Sequence, residues 1–298
     1  MQEDKHKNQD SADAGDPLIR TVELTKKFGE NVVLDNVSLA IGRGKCTVVI
    51  GQSGCGKTVL IKHFLGLLRP TSGQVYFKDT RIDNLSEDKL SGIRTHFGFL
   101  FQEGALFDSL TVAENILFPV RRHYKITGKS GIDELVKSKL AVVGLQGYEN
   151  QFPENLSGGQ KKRVALARAI ALNPEVILYD EPTTGLDPVR ADMINELICK
   201  LQNNLGITSI VVTHDMKSAY KIANRIVMLH NGKILADGDT AHIRSHRHPD
   251  VQHFIHGKVS RDELSVLQTD ENLNNSTSAK EPELRQSNTK FRFFRHSD

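Results

Sequence analysis

The segment Gly51-Gln52-Ser53-Gly54-Cys55-Gly56-Lys57-Thr58 carries the strongest chemical signal in the chain. It matches a phosphate-binding loop: its glycines let backbone N–H groups converge on phosphate oxygens, and a helix starting at its end adds a positive dipole. Lys57 reaches the terminal phosphates and Thr58 offers a hydroxyl to Mg²⁺. A second signal is Val176-Ile177-Leu178-Tyr179-Asp180-Glu181, an apolar strand ending in two carboxylates. Successive strand residues face opposite sides, so the two acids divide the work. Asp180 is expected to hold the Mg²⁺ shell, and Glu181, just past the strand end, to polarise an attacking water. A third is Leu156-Ser157-Gly158-Gly159-Gln160, in which Ser157 caps a helix whose unpaired N–H groups form a second anion site.

These residues need a scaffold that brings strand ends and helix starts together. The first loop follows the apolar run 46–50, a strand buried on both faces, and precedes Val59, Leu60, Ile61, Phe64, Leu65 and Leu68 at helical spacing as far as Pro70. Strand patterns occupy 18–28, 32–41, 74–79 and 96–102, and the block from about 105 to 170 is helix-rich. A strand at 175–182 leads to a helix opened by Asp187 as N-cap and Pro188 at its first position. That helix buries Ile194, Leu197, Ile198, Leu201 and Leu205 and closes at Gly206. A strand at 208–214, a helix at 215–223 and a hairpin turning at Asn231-Gly232 follow. Strand and helix alternate, so a parallel sheet is expected.

Composition bounds the partners. The 298 residues carry 39 basic and 36 acidic side chains, too even a balance for nucleic acid to be the main partner. No apolar run approaches the roughly 18 to 20 residues that span a bilayer, and residues 1–16 lack the apolar centre of a signal peptide, so a cytoplasmic chain is expected. Cys46, Cys55 and Cys199 fit a reducing compartment, with Cys55 a small filler of the phosphate loop. Residues 1–16 and 259–298 are polar and aperiodic and are read as a disordered arm and tail, the latter ending in the basic and aromatic run 290–296.

Taken with Gln102, Leu186-Asp187 and His214, the three motifs resemble those of ABC ATPases, over about residues 18–258. The resemblance implies an α/β fold: a P-loop NTPase core with a mainly parallel sheet, an N-terminal antiparallel β-subdomain and an inserted helical subdomain at about 103–172, within a domain at 17–258. It implies ATP and Mg²⁺ as cofactors and a homodimer packed head to tail. Ser157, Gly158 and Gly159 of one subunit would close on the γ-phosphate held by the other's Lys57 loop, with Gln160 and Asp187 in the same nucleotide-binding set. Phe28 would stack on adenine, Gln102 would link Mg²⁺ to the helical subdomain, and His214 would contact the γ-phosphate and order the water.

Lacking a membrane span, such a motor implies a separate integral membrane permease dimer and a peripheral place on the cytoplasmic face of the inner membrane. Residues 101–120 (FQEGALFDSLTVAENILFPV) and 248–257 are similar to Mla/Mce-type ATPases, which power phospholipid traffic between envelope membranes. That similarity implies a lipid-binding Mce-type partner and a small regulatory protein acting in trans. The alternatives are the ATPase of a small-solute importer, or a non-transport ABC protein acting on ribosomes or DNA. One cassette, no heptad run and a near-neutral charge weigh against the last.

Overall fold

A computed structural model describes residues 16–123 and 129–258. The expected N-terminal arm, apart from Asp16, and the expected tail lie outside the described residues. In chain order the elements are β1 (Ile19–Phe28), β2 (Asn31–Ile41), β3 (Cys46–Ile50), α1 (Lys57–Phe64), β4 (Ser72–Phe77), β5 (Thr80–Arg81), α2 (Glu87–Arg94) and β6 (Phe97–Leu100). Then come α3 (Val112–His123), α4 (Lys129–Val142), α5 (Gly158–Ala169), β7 (Val176–Asp180), α6 (Pro188–Leu205) and β8 (Thr208–Val212). The remainder is α7 (Met216–Ile222), β9 (Arg225–His230), β10 (Lys233–Gly238), α8 (Thr240–Arg244) and α9 (Pro249–Ile255).

Two sheets result. One is antiparallel in the order β2-β1-β4-β5, and the other runs β10-β9-β3-β8-β7-β6. In the second, β9, β3, β8, β7 and β6 are parallel and only β10 is antiparallel, paired with β9 through the Asn231-Gly232 turn. Alternate residues of the parallel strands serve two separate cores, as the two-residue period requires. Ile177, Tyr179 and Val211 pack with α3, α5 and α6, whereas Val176, Leu178, Ile210 and Val212 pack with α1 and the antiparallel sheet. The parallel sheet is therefore a covered middle layer, and β3, β7 and β8 hold the loops at their carboxyl ends against each other. No helix among the described residues is long and apolar enough to cross a membrane.

Two local expectations are corrected. The helix after the phosphate loop stops at Phe64 rather than near Pro70, because Gly66 adopts φ +61, where a Cβ would lie 2.7 Å from Leu90 Cδ2. Leu205, on the apolar stripe of α6, is 56% exposed: it occupies the last turn before Gly206 reverses the chain at φ +62.

Candidate nucleotide site

The loop between β3 and α1 is shaped by its glycines. Gly51, Gly54 and Gly56 have φ of +151, +79 and +102, and a Cβ on Gly51 would sit 2.2 Å from Leu229 O. A Cβ on Gly56 would sit 2.8 Å from Val33 O, so β2 and β9 close on the loop too tightly for any side chain there. Gly56 is also the N-cap of α1 and supplies no side-chain acceptor, so the first-turn N–H groups keep their capacity for an anion. Lys57 is buried, its ammonium donating to Gly51 O at 2.7 Å and Gln52 O at 2.8 Å. The lysine thus lies folded across its own loop. Burial raises the Cys55 thiol above its ordinary range, as fits a packed filler and not a reactive thiolate.

Thr58 Oγ1 donates to both oxygens of Asp180, at 3.2 and 3.3 Å, so helix α1 and the end of β7 meet through this pair. Burial raises the Asp180 carboxyl; the Thr58 bond opposes this and the Glu181 charge adds to it. The hydroxyl and carboxylate oxygens, with Gln102 lining the same cleft, are the hard donors that suit Mg²⁺.

Glu181 follows with φ +49, while its N–H still bonds Val212 O at 2.9 Å. The backbone leaves the sheet in a left-handed step at a non-glycine residue, which has to be held by its surroundings. The side chain is held at both oxygens. His214 Nδ1 lies 2.9 Å from Oε1, while the hydroxyls of Thr184 and Thr213 donate to Oε2 at 3.1 and 3.3 Å. His214, just past the end of β8, is exposed. Ser53, Gly54, Gly56, Lys57, Thr58, Gln102, Asp180, Glu181 and His214 line one cleft of about 310 Å³.

Other expected residues lie elsewhere. Phe28 is 48% exposed at the end of β1, with Lys26 Nζ 5.0 Å above its ring, and does not line the cleft. Ser157, Gly159 and Gln160 line a separate hollow of about 220 Å³ with Arg163 and Arg190. There Ser157 Oγ accepts from Gln160 N, and Gln160 Oε1 accepts from Ser157 N at 2.8 Å, closing a capping box. Gln160 Nε2 also donates to Tyr148, so its amide holds the helix start. Among the described residues the Ser157 hydroxyl donates to no acceptor. Asp187 caps α6, accepting from Val189 N and Arg190 N at 3.1 and 3.0 Å, and likewise stands outside the cleft.

Sequence reading missed Thr184, Thr213 and Lys162. The threonines border Glu181 and His214 in the chain, so proximity could have found them. Lys162 had no such signal: in sequence it reads as one of several basic residues, yet it is 6% exposed and its ammonium donates to backbone carbonyls of the Glu181 loop. Burial pushes its pKa down, and the Glu181 charge pushes it back up.

Residues 34–184 match the family model described as ABC transporter. The probable ribonucleotide transport ATP-binding protein mkl of Mycobacterium tuberculosis is 40% identical over 235 residues, 79% of this chain and 65% of its own length. The intermembrane phospholipid transport system ATP-binding protein MlaF of Haemophilus influenzae is 39% identical over 241 residues, covering 81% of this chain and 91% of that one. The dimeric structure of a post-hydrolysis state of the ATP-binding cassette MJ0796, bound to ADP and Pi, superposes with a TM-score of 0.69 at 35% identity. It covers 74% of this chain and 98% of its own. The match thus spans less than two thirds of the mycobacterial relative and nearly all of the other two.

Proposed function

The chain belongs to the ABC transporter family of ATP-binding cassettes, and from that premise we propose that it binds and hydrolyses ATP to drive phospholipid transport through a membrane permease. One observation carries the ATPase reading: Lys57, Thr58, Asp180, Glu181 and His214, from three separate segments, line one cleft. The cassette occupies residues 17–258, with a helical subdomain at about 103–172.

Lys57 turns from its loop carbonyls to the terminal phosphates, while the N–H groups at the start of α1 bind the phosphate oxygens. Thr58, Asp180 and Gln102 would hold Mg²⁺, which supplies neutralising charge to the phosphates when bound. Glu181 orients the attacking water and takes its proton, and Thr184 and Thr213 fix the carboxylate for that task. Phe28, exposed at the cassette edge, offers a ring face to adenine. Gly51, Gln52, Ser53, Gly54, Cys55 and Gly56 shape the cradle.

The second helix end, at Ser157, Gly158 and Gly159, lies outside the cleft, so the chain does not bring it to its own nucleotide. It serves the nucleotide of a second copy, and ATP clamps a head-to-tail homodimer. The neighbouring cassette described as dimeric and bound to ADP and Pi supports this reading. Phospholipid cargo is favoured because the relative named for phospholipid transport matches over nearly its whole length. On that reading the chain is peripheral on the cytoplasmic face of the inner membrane, with a permease dimer, an Mce-type lipid-binding protein and a small regulator as partners. The mycobacterial relative's name keeps a small-solute cargo as the second reading.

Isolation of the intact complex from membranes tests both. Co-purified phospholipid and a lipid-binding single-span subunit support lipid transport, whereas a soluble solute-binding protein in their place overturns it.

A further inference from the structure

Lys162 lies one turn into α5, the helix whose first residues follow Ser157. Among the described residues its ammonium has no carboxylate within ion-pair reach. It donates instead to Thr184 O at 2.6 Å, Pro182 O at 2.8 Å and Glu181 O at 3.4 Å. An ammonium has three donors, and here each finds a backbone carbonyl of one short loop. Burying a cation is costly unless its hydrogen bonds are made, so this contact resists separation of helix from loop. The loop is the one that carries Glu181 in its left-handed step, and Thr184, whose carbonyl takes the shortest bond, also donates its hydroxyl to Glu181 Oε2. A shift of α5 therefore moves the peptide that aims the carboxylate.

We propose that Lys162 is a positioning residue that couples the two half-sites of one subunit, linking the serine-capped helix end to the loop that aims Glu181. This rests on the ATP-clamped dimer proposed above. There, the helix end of a subunit touches its partner's nucleotide while Glu181 serves the subunit's own. Closure on one nucleotide is then transmitted through Lys162 to the catalytic loop of the other site, and hydrolysis becomes cooperative without any contact between the two nucleotides.

The test is steady-state ATP hydrolysis by the full-length chain with Mg-ATP. Lys162→Met keeps an unbranched apolar stem, one atom shorter than lysine, but removes every donor. It is expected to lower kcat about tenfold or more, the scale of a misplaced catalytic group, with KM within about twofold and the Hill coefficient falling toward unity. Lys162→Gln keeps two N–H donors on a side chain one atom shorter. It should fall between the two, with kcat down about threefold. A residue that merely stabilised the fold would not separate kcat from KM or grade with donor number. Wild-type kcat and cooperativity in either folded variant, or a loss confined to KM, overturns the proposal. If Lys162→Met does not fold, Lys162→Gln decides by the same two readings. A wild-type chain that hydrolyses no ATP, or does so without cooperativity, sinks the dimer reading instead.

Discussion

His214 Nδ1 lies 2.9 Å from Glu181 Oε1. A carboxylate can only accept, so the imidazole donates through Nδ1, and a neutral ring that does so has no proton on Nε2 for a phosphate oxygen. The same histidine cannot, while neutral, serve Glu181 and donate to a phosphate through its other nitrogen. On the proposed mechanism, donation by His214 to the phosphate would free Glu181 Oε1 for the water proton. Glu181→Gln should therefore retain ATP binding while turnover falls by about a hundredfold or more, the usual scale for a lost general base. The variant should also accumulate as an ATP-bound dimer on size exclusion. Normal turnover would remove Glu181 from the role of base.

Lys57 tests binding apart from chemistry. Its ammonium is already desolvated beside the loop carbonyls, so its transfer to phosphate forms charge-assisted bonds at little further desolvation cost. Lys57→Ala is expected to weaken ATP roughly ten- to hundredfold, from the 1.5–3 kcal/mol typical of a hydrogen bond to a charged group. Titration calorimetry with ATP reads this directly; an unchanged dissociation constant would refute the assigned role.

How much of this could be read before the fold was known depends on how locally each feature is encoded. Gly51–Thr58 and Asp180-Glu181 are contiguous, and their flanking patterns told strand from helix, so the parallel sheet and the site at its carboxyl edge could be foreseen. Asp187 as a cap and the Asn231-Gly232 turn were equally local. What escaped depends on distance in sequence. Lys162 looks like any surface lysine until β7 and α5 are packed together, and the early stop of α1 depends on Leu90 crowding Gly66. Gln160 lies in a contiguous motif, but its amide bond to Tyr148 depends on a partner twelve residues away.

Asp180 predicts an exchange of stability for function. Its folded pKa is raised, chiefly by burial, so the ionised form is disfavoured in the fold, and the stability its proton confers at low pH is lost as pH rises past the ordinary carboxylate range. At neutral pH, without Mg²⁺, Asp180→Asn removes that cost and keeps an acceptor for Thr58. The thermal midpoint should rise by about 2 to 4 °C for each kcal/mol relieved, while Mg-dependent hydrolysis is lost. A lower midpoint than wild type would contradict the electrostatic account.

Acid should weaken the fold through His63. This ring is 1% exposed, with Nδ1 donating to Val59 O at 2.7 Å and Nε2 buried with no partner among the described residues. Burial lowers its pKa, and nearby Lys26 adds to the effect. The unfolded chain then binds the extra proton first, so stability falls as pH drops below about 6.5, the ordinary histidine value. His246 shifts the same way, but it is only slightly buried and contributes less. Asp83 and Glu175, whose arginine, lysine and histidine partners overcome burial and lower their pKa, lose their contribution only further into acid. Between pH 7.5 and 5.5 the wild-type midpoint should drop further than that of His63→Leu. Parallel curves would assign the acid sensitivity elsewhere.

Gly158 separates the two helix ends. It is exposed beside Ser157, and a Cβ there would meet Leu186 Cδ2 only at 3.9 Å, so a side chain fits without strain in the single subunit. Gly158→Asp places a carboxylate at the first position of α5, where the helix dipole favours negative charge and the fold should be undisturbed or slightly stabilised. The same carboxylate fills and repels the space that a partner's γ-phosphate needs. Each subunit should bind ATP with wild-type affinity in its own cleft and keep its thermal midpoint, while ATP-dependent dimerisation and turnover both disappear. Mixing it with Lys57→Ala leaves one composite site that pairs an intact lysine loop with an intact helix end, so the mixed dimer should regain activity that neither parent shows. Regain requires the two motifs to act across a subunit boundary; two inactive parents that stay inactive when mixed would place both motifs in the same subunit's chemistry.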